Sequence, residues 1–414
     1  MHFWIQLILR GMHSICSENY TNTIHTRIWI ALDIICSRNP IIFDGIESIP
    51  WSQLSKALLA WLFLSPQSRL RSPAAMFVLK CECMRRRYLG LHDMHITVPD
   101  LLLAAKSLPA SCTYKQDYVM WVYAMANHAS LNKVPVINFS MGTEIMYTQA
   151  SQQLNILSGQ PLSLSLTDDI RSDQPSWSTN WETRIKRFLF NQSASSFSAS
   201  KQPDSDHPFT EITRPLDSTE PLHLKYTGLV VDVIRKLSDY LPPRRHCDHY
   251  NLSDNCFFFV NWYEFAKDCS HLTEDTILLD YADTIQARGC GHLWENLAIP
   301  SQDRIQKARA FLNFLTDEDA EGFDATHSVR LFHAACFPSH DRRFAITKNG
   351  RFCLVPKATQ CGDLVCIPRN SRVPYIFRPL TEGYENIGET YVHGIMHGET
   401  SETEGLEETE FLLY

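Results

Sequence analysis

The side chains best suited to metal chemistry crowd into one stretch, where His246, Cys247, His249, Cys256, Cys269 and His271 follow one another. A closed zinc site needs thiolates or imidazoles paired at short spacing. The spacing Cys247-x8-Cys256-x12-Cys269 fits no such module, and the intervening Phe257-Phe258-Phe259-Val260 reads as core. These residues are therefore expected to be buried cysteines and surface histidines, with no metal ligand among them. Cys81-x-Cys83 precedes Arg85-Arg86-Arg87. One thiol pair alone is a poor metal site, and three arginines in a helical stretch read as a solvated face. Neither Gly-x-x-x-x-Gly-Lys-Ser/Thr nor Gly-x-Gly-x-x-Gly occurs, so no phosphate-cradling loop is read. Sets of Ser, His and Asp can be assembled on paper, but none has a nucleophile-elbow signature. No catalytic residue and no cofactor is assigned.

The elements around those residues belong to a globular chain. Its 414 residues are 44% hydrophobic and 20% charged, enough for a sizeable core in two or three domains. The net charge of -8 owes much to Glu399, Glu402, Glu404, Glu407, Glu408 and Glu410, which lie in a terminal segment without Lys or Arg. The body is then close to balanced, and nothing calls for nucleic acid as a partner. The 13 cysteines show no repeated spacing, and the opening MHFWIQLILR lacks a basic region and a cleavage site. A reducing, cytoplasmic (intracellular) setting is expected. The apolar run Ala57 to Leu64 falls well short of the roughly 20 residues of a membrane helix, so no membrane span is expected.

Apolar residues recur at helical spacing at Trp51, Leu54, Leu58, Trp61 and Leu62, and again at Leu101, Leu102, Ala105 and Leu108. Pro175-Ser176-Trp177 and Trp181 suggest a packed aromatic corner. Leu222 to Val230 alternates apolar and polar, and Val233, Ile234 and Leu237 then follow a helical spacing, which predicts a strand feeding a helix. Four short apolar runs, Phe352–Val355, Leu364–Ile367, Val373–Phe377 and Thr390–His393, are separated by turn residues and predict a small antiparallel sheet or barrel. Gly362 and Gly394 sit where a tight turn or a close strand approach would exclude a side chain.

That last stretch resembles the C-terminal region of fungal heterokaryon-incompatibility (HET domain) proteins. The likeness rests on Arg342 to Phe344, Thr347, Gly350, Pro356, Gly362, Asp363, Val365, Cys366, Val373, Pro374, Arg378, Pro379 and the run Tyr391-Val392-His393-Gly394-Ile395-Met396, closed by Gly398 and Glu399. Upstream, Arg27, Trp29, Pro50 and Trp51 resemble the end of the HET domain proper, although Leu32 and Asp33 stand where Gln and Glu are the family pattern. Asp117, Val119, Pro175, Trp177, Trp181, Leu224, Gly228, Asp232 and Ile234 continue the likeness in order. The opening motifs of the HET domain are not found upstream of Arg27, so the resemblance implies an N-terminally truncated or degenerate relative.

The expected architecture is α+β: a partial α/β HET-domain remnant and a helical body followed by a small C-terminal antiparallel β-module. Its parts are residues 1–60 (remnant), 61–190 (mainly helical body), 191–220 (flexible connector), 221–330 (mixed α/β), 331–399 (β-module) and 400–414 (acidic tail, expected to stay solvated). A partial sheet would leave an unpaired edge and exposed apolar side chains such as Ile28, Trp29, Ile34 and Ile35. By resemblance the function is a non-enzymatic interaction and signalling role in fungal non-self recognition and incompatibility-triggered cell death, with an unidentified protein partner. The alternatives are NAD cleavage of the Toll/interleukin-receptor-like type, and an inactive degenerate paralogue. Arg378, Asp363 and His393 are expected to be structural.

Overall fold

The computed structural model describes residues 28–44, 47–64, 73–91, 98–108, 110, 112–128, 142–167, 174–183, 185, 187–191, 196–201, 223–243, 256–290, 300–316, 327–402 and 406–414. The chain is α+β and divides into two compact units, one of residues 1–150, 181–184 and 245–250, the other of 151–180, 185–244 and 251–414.

The first unit is helical. Its elements are α1 (Ile28–Cys36), the hairpin β1 (Ile41–Asp44) and β2 (Glu47–Pro50), α2 (Trp51–Leu64), α3 (Pro73–Tyr88), α4 (Val98–Ser107), α5 (Asp117–His128) and the start of α6 (Thr143–Ser158). Ile28, Ile34 and Ile35 are buried, contrary to the exposed face expected of them, because α1 packs against α3 and α5. Trp29 is half-buried. The three arginines of α3 are not simply a solvated face either. Arg85 is buried and donates to the carbonyls of Ser37 and Arg38, capping the C-terminal end of α1. Arg86 pairs with Glu82, and Arg87 with Asp100.

The second unit holds the end of α6, the short α7 (Leu162–Ser165), β3 (Leu224–Leu241), α8 (Cys256–Cys269), α9 (Glu274–Ile285), α10 (Ser301–Thr316), α11 (His327–Ala335), and strands β4 (Arg342–Thr347), β5 (Phe352–Pro356), β6 (Leu364–Pro368), β7 (Tyr375–Pro379), β8 (Tyr384–Glu389), β9 (Tyr391–Val392) and β10 (Glu408–Leu413). The neighbours run β10-β8-β7-β6-β3-β4-β5-β9, and β10 also pairs with β3. Strands β3, β6, β7, β8 and β10 thus close a ring, antiparallel except for the short β10–β8 contact at Leu413 and Tyr384.

Strand β3 replaces the predicted strand and helix by one 18-residue strand that serves three neighbours. Leu224–Leu229 pair with β10, Gly228–Val233 with β6, and Ile234–Leu241 with β4. Register shifts fall between Val230 and Asp232, Ile234 and Lys236, and Leu237 and Tyr240. Each bulge inserts a residue into the two-residue alternation, and the resulting spacing of three imitates a helix. The acidic terminal segment needs the same kind of correction. Glu408–Leu413 alternate like a strand, with Phe411 and Leu413 sealed inside while Glu408 and Glu410 face outward to Arg369 and Lys225.

Strands β5 and β6 are buried on both faces, which is why their sequences run apolar without a break, as do Phe344–Ile346 of β4 and Tyr375–Phe377 of β7. Ala345, Cys353, Val355, Val365, Ile367 and Ile376 fall in one cluster. Phe344, Leu354, Cys366, Tyr375 and Phe377 fall in another, together with Phe259, Trp262, Tyr281, Phe311 and Phe332 from α8 to α11.

Candidate functional site

A dense concentration of charge and hydrogen bonding lies in the second unit, where Arg342 of β4 meets Glu389 of β8. Both side chains are fully buried. The Arg342 guanidinium donates through Nη1 to the Glu389 carbonyl at 2.9 Å, and through Nη2 to Glu389 Oε1 at 2.9 Å and to the Phe188 carbonyl at 2.8 Å. Its plane covers the Phe190 ring at 3.9 Å. Glu389 accepts two successive main-chain amides, Phe190 at 2.7 Å and Asn191 at 3.1 Å. Burial pulls the Arg342 pKa down to about 10, with Glu389 working to hold it up, so the guanidinium is charged at neutral pH. A pair taken this far from water is sustained only when its remaining polar atoms find partners. Here the Phe188 carbonyl and the Phe190 and Asn191 amides supply most of them, and Arg342 Nε alone of the pair's side-chain polar atoms is left buried without a partner.

Tyr375 of β7 extends the network. Its hydroxyl lies 3.1 Å from the Pro161 carbonyl, 3.2 Å from Asn191 Nδ2 and 2.9 Å from Ser165 Oγ. The Pro161 carbonyl can only accept, so the Tyr375 proton goes there, and Asn191 and Ser165 both donate to its oxygen. Burial pushes the Tyr375 phenol well up. Arg187 donates to the Ser165 and Thr167 carbonyls, and Asn386 Nδ2 to Leu164 O and Thr167 Oγ1. The chemistry this arrangement offers is the gripping of a main-chain segment by a carboxylate and a guanidinium, with a phenol on the side-chain amide of Asn191.

A second grouping stands nearer solvent. Arg378 binds Asp363 through Nε and Nη2, reaches Glu385 at 3.3 Å and donates to the Ala358 carbonyl at 2.7 Å. Asp363 also accepts the Gln360 amide at 2.8 Å, fixing the turn that carries Gly362 at φ +95°. His393 is not part of it. Its Nε2 lies 3.3 Å from Asp280 of α9, and its amide donates to Phe352 O. Asp232 sits at a bulge of β3 and holds the β4–β5 turn through the Asn349 amide and the Arg351 guanidinium.

The other motif residues are spread over both units. Gly228 crosses β6 so closely that a Cβ would strike the backbone of Ile367 and Pro368. The Pro374 carbonyl accepts the Thr390 amide, and Tyr391 packs with Phe190 and Phe197. Met396 Sδ accepts the Val392 amide, Gly394 has φ +81°, and Glu399 accepts the His397 amide. Gly398 leaves room for the Lys201 side chain. Pro175 and Trp177 belong to the second unit, with Trp177 sealed in its core. Trp181 and Asp117 belong to the first, where Trp181 donates to the Tyr147 carbonyl and Asp117 opens α5. Arg27, His246, Cys247 and His249 lie outside the described residues.

Among the described residues, no group of three or more His, Cys, Asp or Glu is placed to hold a metal ion. Cys269 instead takes a contact from Lys236 Nζ at 3.1 Å. No helix among those residues is long and apolar enough to cross a membrane.

The strands that carry the Arg342–Glu389 clamp have a recognisable family pattern. Residues 302–414 match the Het-6 beta-barrel domain. The matched stretch takes in most of α10, all of α11 and strands β4 to β10, and so contains Arg342, Tyr375, Arg378 and Glu389. Strand β3, which completes the ring in this chain, lies outside the match, as do residues 1–60. The match relates the chain to heterokaryon-incompatibility proteins through this barrel and leaves the HET domain itself unmatched. No curated protein and no solved structure matches the chain.

Sequence reasoning singled out Arg342, Asp363 and Arg378 but missed Glu389, Arg187 and Asn191. For Glu389 a signal was present: a carboxylate within Ile387-Gly388-Glu389-Thr390-Tyr391-Val392, amid apolar strand residues, calls for a buried cation.

Proposed function

We propose that the chain is an interaction and signalling protein of fungal heterokaryon incompatibility, acting in the cytoplasm without catalysis of its own. The match of residues 302–414 to the Het-6 barrel carries this reading. The barrel's chemistry supports it, because Arg342, Glu389 and Tyr375 are sealed from solvent and bonded to main chain and to one another. A group that turns over substrate must reach it. The test is a fusion assay: fungal strains expressing the chain or its Arg342→Met variant are confronted with tester strains, and death of the fused cells is scored. The intact chain is expected to trigger death with at least one tester and the variant with none. Survival of every fusion with the intact chain would overturn the reading.

A further inference from the structure

We infer that Arg342, Glu389 and Tyr375 form a peptide-binding site that residues 187–191 occupy in cis, and that its external ligand is a peptide carrying aromatic-x-aromatic-Asn. The segment Arg187-Phe188-Leu189-Phe190-Asn191 forms neither helix nor strand, yet Arg187, Phe190 and Asn191 are buried. Its main chain is read by side chains. Glu389 takes the amides of Phe190 and Asn191 with its two oxygens, and Arg342 takes the Phe188 carbonyl. Side-chain recognition accompanies it, with Phe190 under the Arg342 guanidinium and Asn191 on the Tyr375 hydroxyl. Phe188 meets Phe337 edge-on at 6.0 Å. Charged forks on main-chain groups beside apolar sockets are the features by which domains capture extended peptides.

The gripping residues all lie in the matched barrel, whereas the gripped segment is 154 to 199 residues away along the chain. Strand β3 also lies outside the match, but ladders with β4, β6 and β10 build it into the sheet. Residues 187–191 are held in the manner of a ligand. A competing peptide would displace them and free the chain on either side, which converts binding into a conformational signal.

The proposal rests on the interaction reading for the nature of the partner. Its test uses the purified full chain, so a failure here leaves the fusion assay to judge that reading separately. The probe is a fluorescein-labelled peptide of residues 185–193, followed by anisotropy. Phe190→Ala removes the ring under the Arg342 guanidinium and so weakens the hold on the cis segment, whose amides still reach Glu389. The variant is therefore expected to bind the probe at least tenfold more tightly than the intact chain, a gain that Glu389→Gln added to it is expected to abolish. Because Phe190→Ala removes a buried ring, hydrogen exchange on the unaltered chain provides an independent readout. The Phe190 and Asn191 amides are expected to exchange at least tenfold faster than those of Phe344 and Leu354. A folded Phe190→Ala chain that gains no binding, or exchange of all four amides in step, overturns the proposal.

Discussion

Arg378 meets Asp363 in a fork of two parallel hydrogen bonds, Nε to Oδ1 and Nη2 to Oδ2, each 2.9 Å long. Asp363 is almost wholly buried and turns its second oxygen to the Gln360 amide as well. Lysine offers a point charge where this carboxylate is met by a plane. Arg378→Lys is therefore expected to destabilise the chain by about 1–2 kcal/mol and Arg378→Met by about 3 kcal/mol, because the latter leaves a buried carboxylate without its cation. Urea midpoints at constant slope measure both.

Glu389→Gln takes the compensating charge from a guanidinium with no access to water. The expected loss is about 3–5 kcal/mol. Pairing Arg342→Met with Glu389→Leu removes both charges together and should recover part of it, although the amides of Phe190 and Asn191 then lack their acceptor. A double-mutant cycle on unfolding free energies checks the recovery.

Alkaline solution should unfold the second unit. Burial raises the phenols of Tyr226, Tyr281 and Tyr375 and the thiols of Cys353 and Cys366. A raised folded pKa means that the contribution is complete below the unfolded value and lost as pH climbs above it. The decline should therefore begin near the ordinary thiol value of about 8.5 and steepen near the tyrosine value of about 10. Arg342, lowered to about 10, and Arg372, lowered by burial, act in the opposite sense at high pH, but they are two groups against five. Tyrosinate absorbance is expected to rise together with loss of the circular dichroism signal. Phenols titrating in the folded chain would contradict this.

Glycine replacements should rank by what the new methyl meets. At Gly228 a Cβ drives into the backbone of β6, which cannot rotate aside, and Gly228→Ala is expected to prevent closure of the ring and the recovery of folded chain. At Gly394 nothing stands within 4 Å and only the left-handed φ of +81° is violated, so Gly394→Ala should cost about 1–2 kcal/mol. Yield and urea midpoint together give the ranking.

Incubation of the chain with NAD is expected to release no more nicotinamide than a heat-killed control. In α1, Leu32 is half-buried and Asp33 exposed, the two positions at which the HET-domain resemblance implies Gln and Glu. Release abolished by Asp33→Ala would reverse the non-enzymatic assignment.

The short strands β5 to β7 were legible in the sequence because turn residues bound each run and both faces are apolar. The long β3 was not, since its bulges gave Val233, Ile234 and Leu237 a helix's spacing. Strand β10 was hidden by composition: its glutamates alternate with Thr409 and Phe411, a period of two that outweighs charge when one face meets solvent. The clamp was out of reach because Arg342 and Glu389 are 47 residues apart and their gripped segment lies further still. Local pattern carries no information about pairings at that separation. The site residues read from family motifs are likewise split, with Arg378 beside Asp363 and His393 on Asp280.

Strand β3 is complete at Leu241, but the strand that closes the ring against it begins only at Glu408. At a synthesis rate of roughly 5–20 residues per second, the first half of β3 waits on the order of ten seconds or more on the ribosome with an open hydrogen-bonding edge. Its partner β6 arrives earlier but takes only the residues from Gly228 onward. The edge is thus open to association throughout that interval. Lesions in Phe411 or Leu413 would then appear in a cell as less protein made, with the molecules that do fold behaving normally.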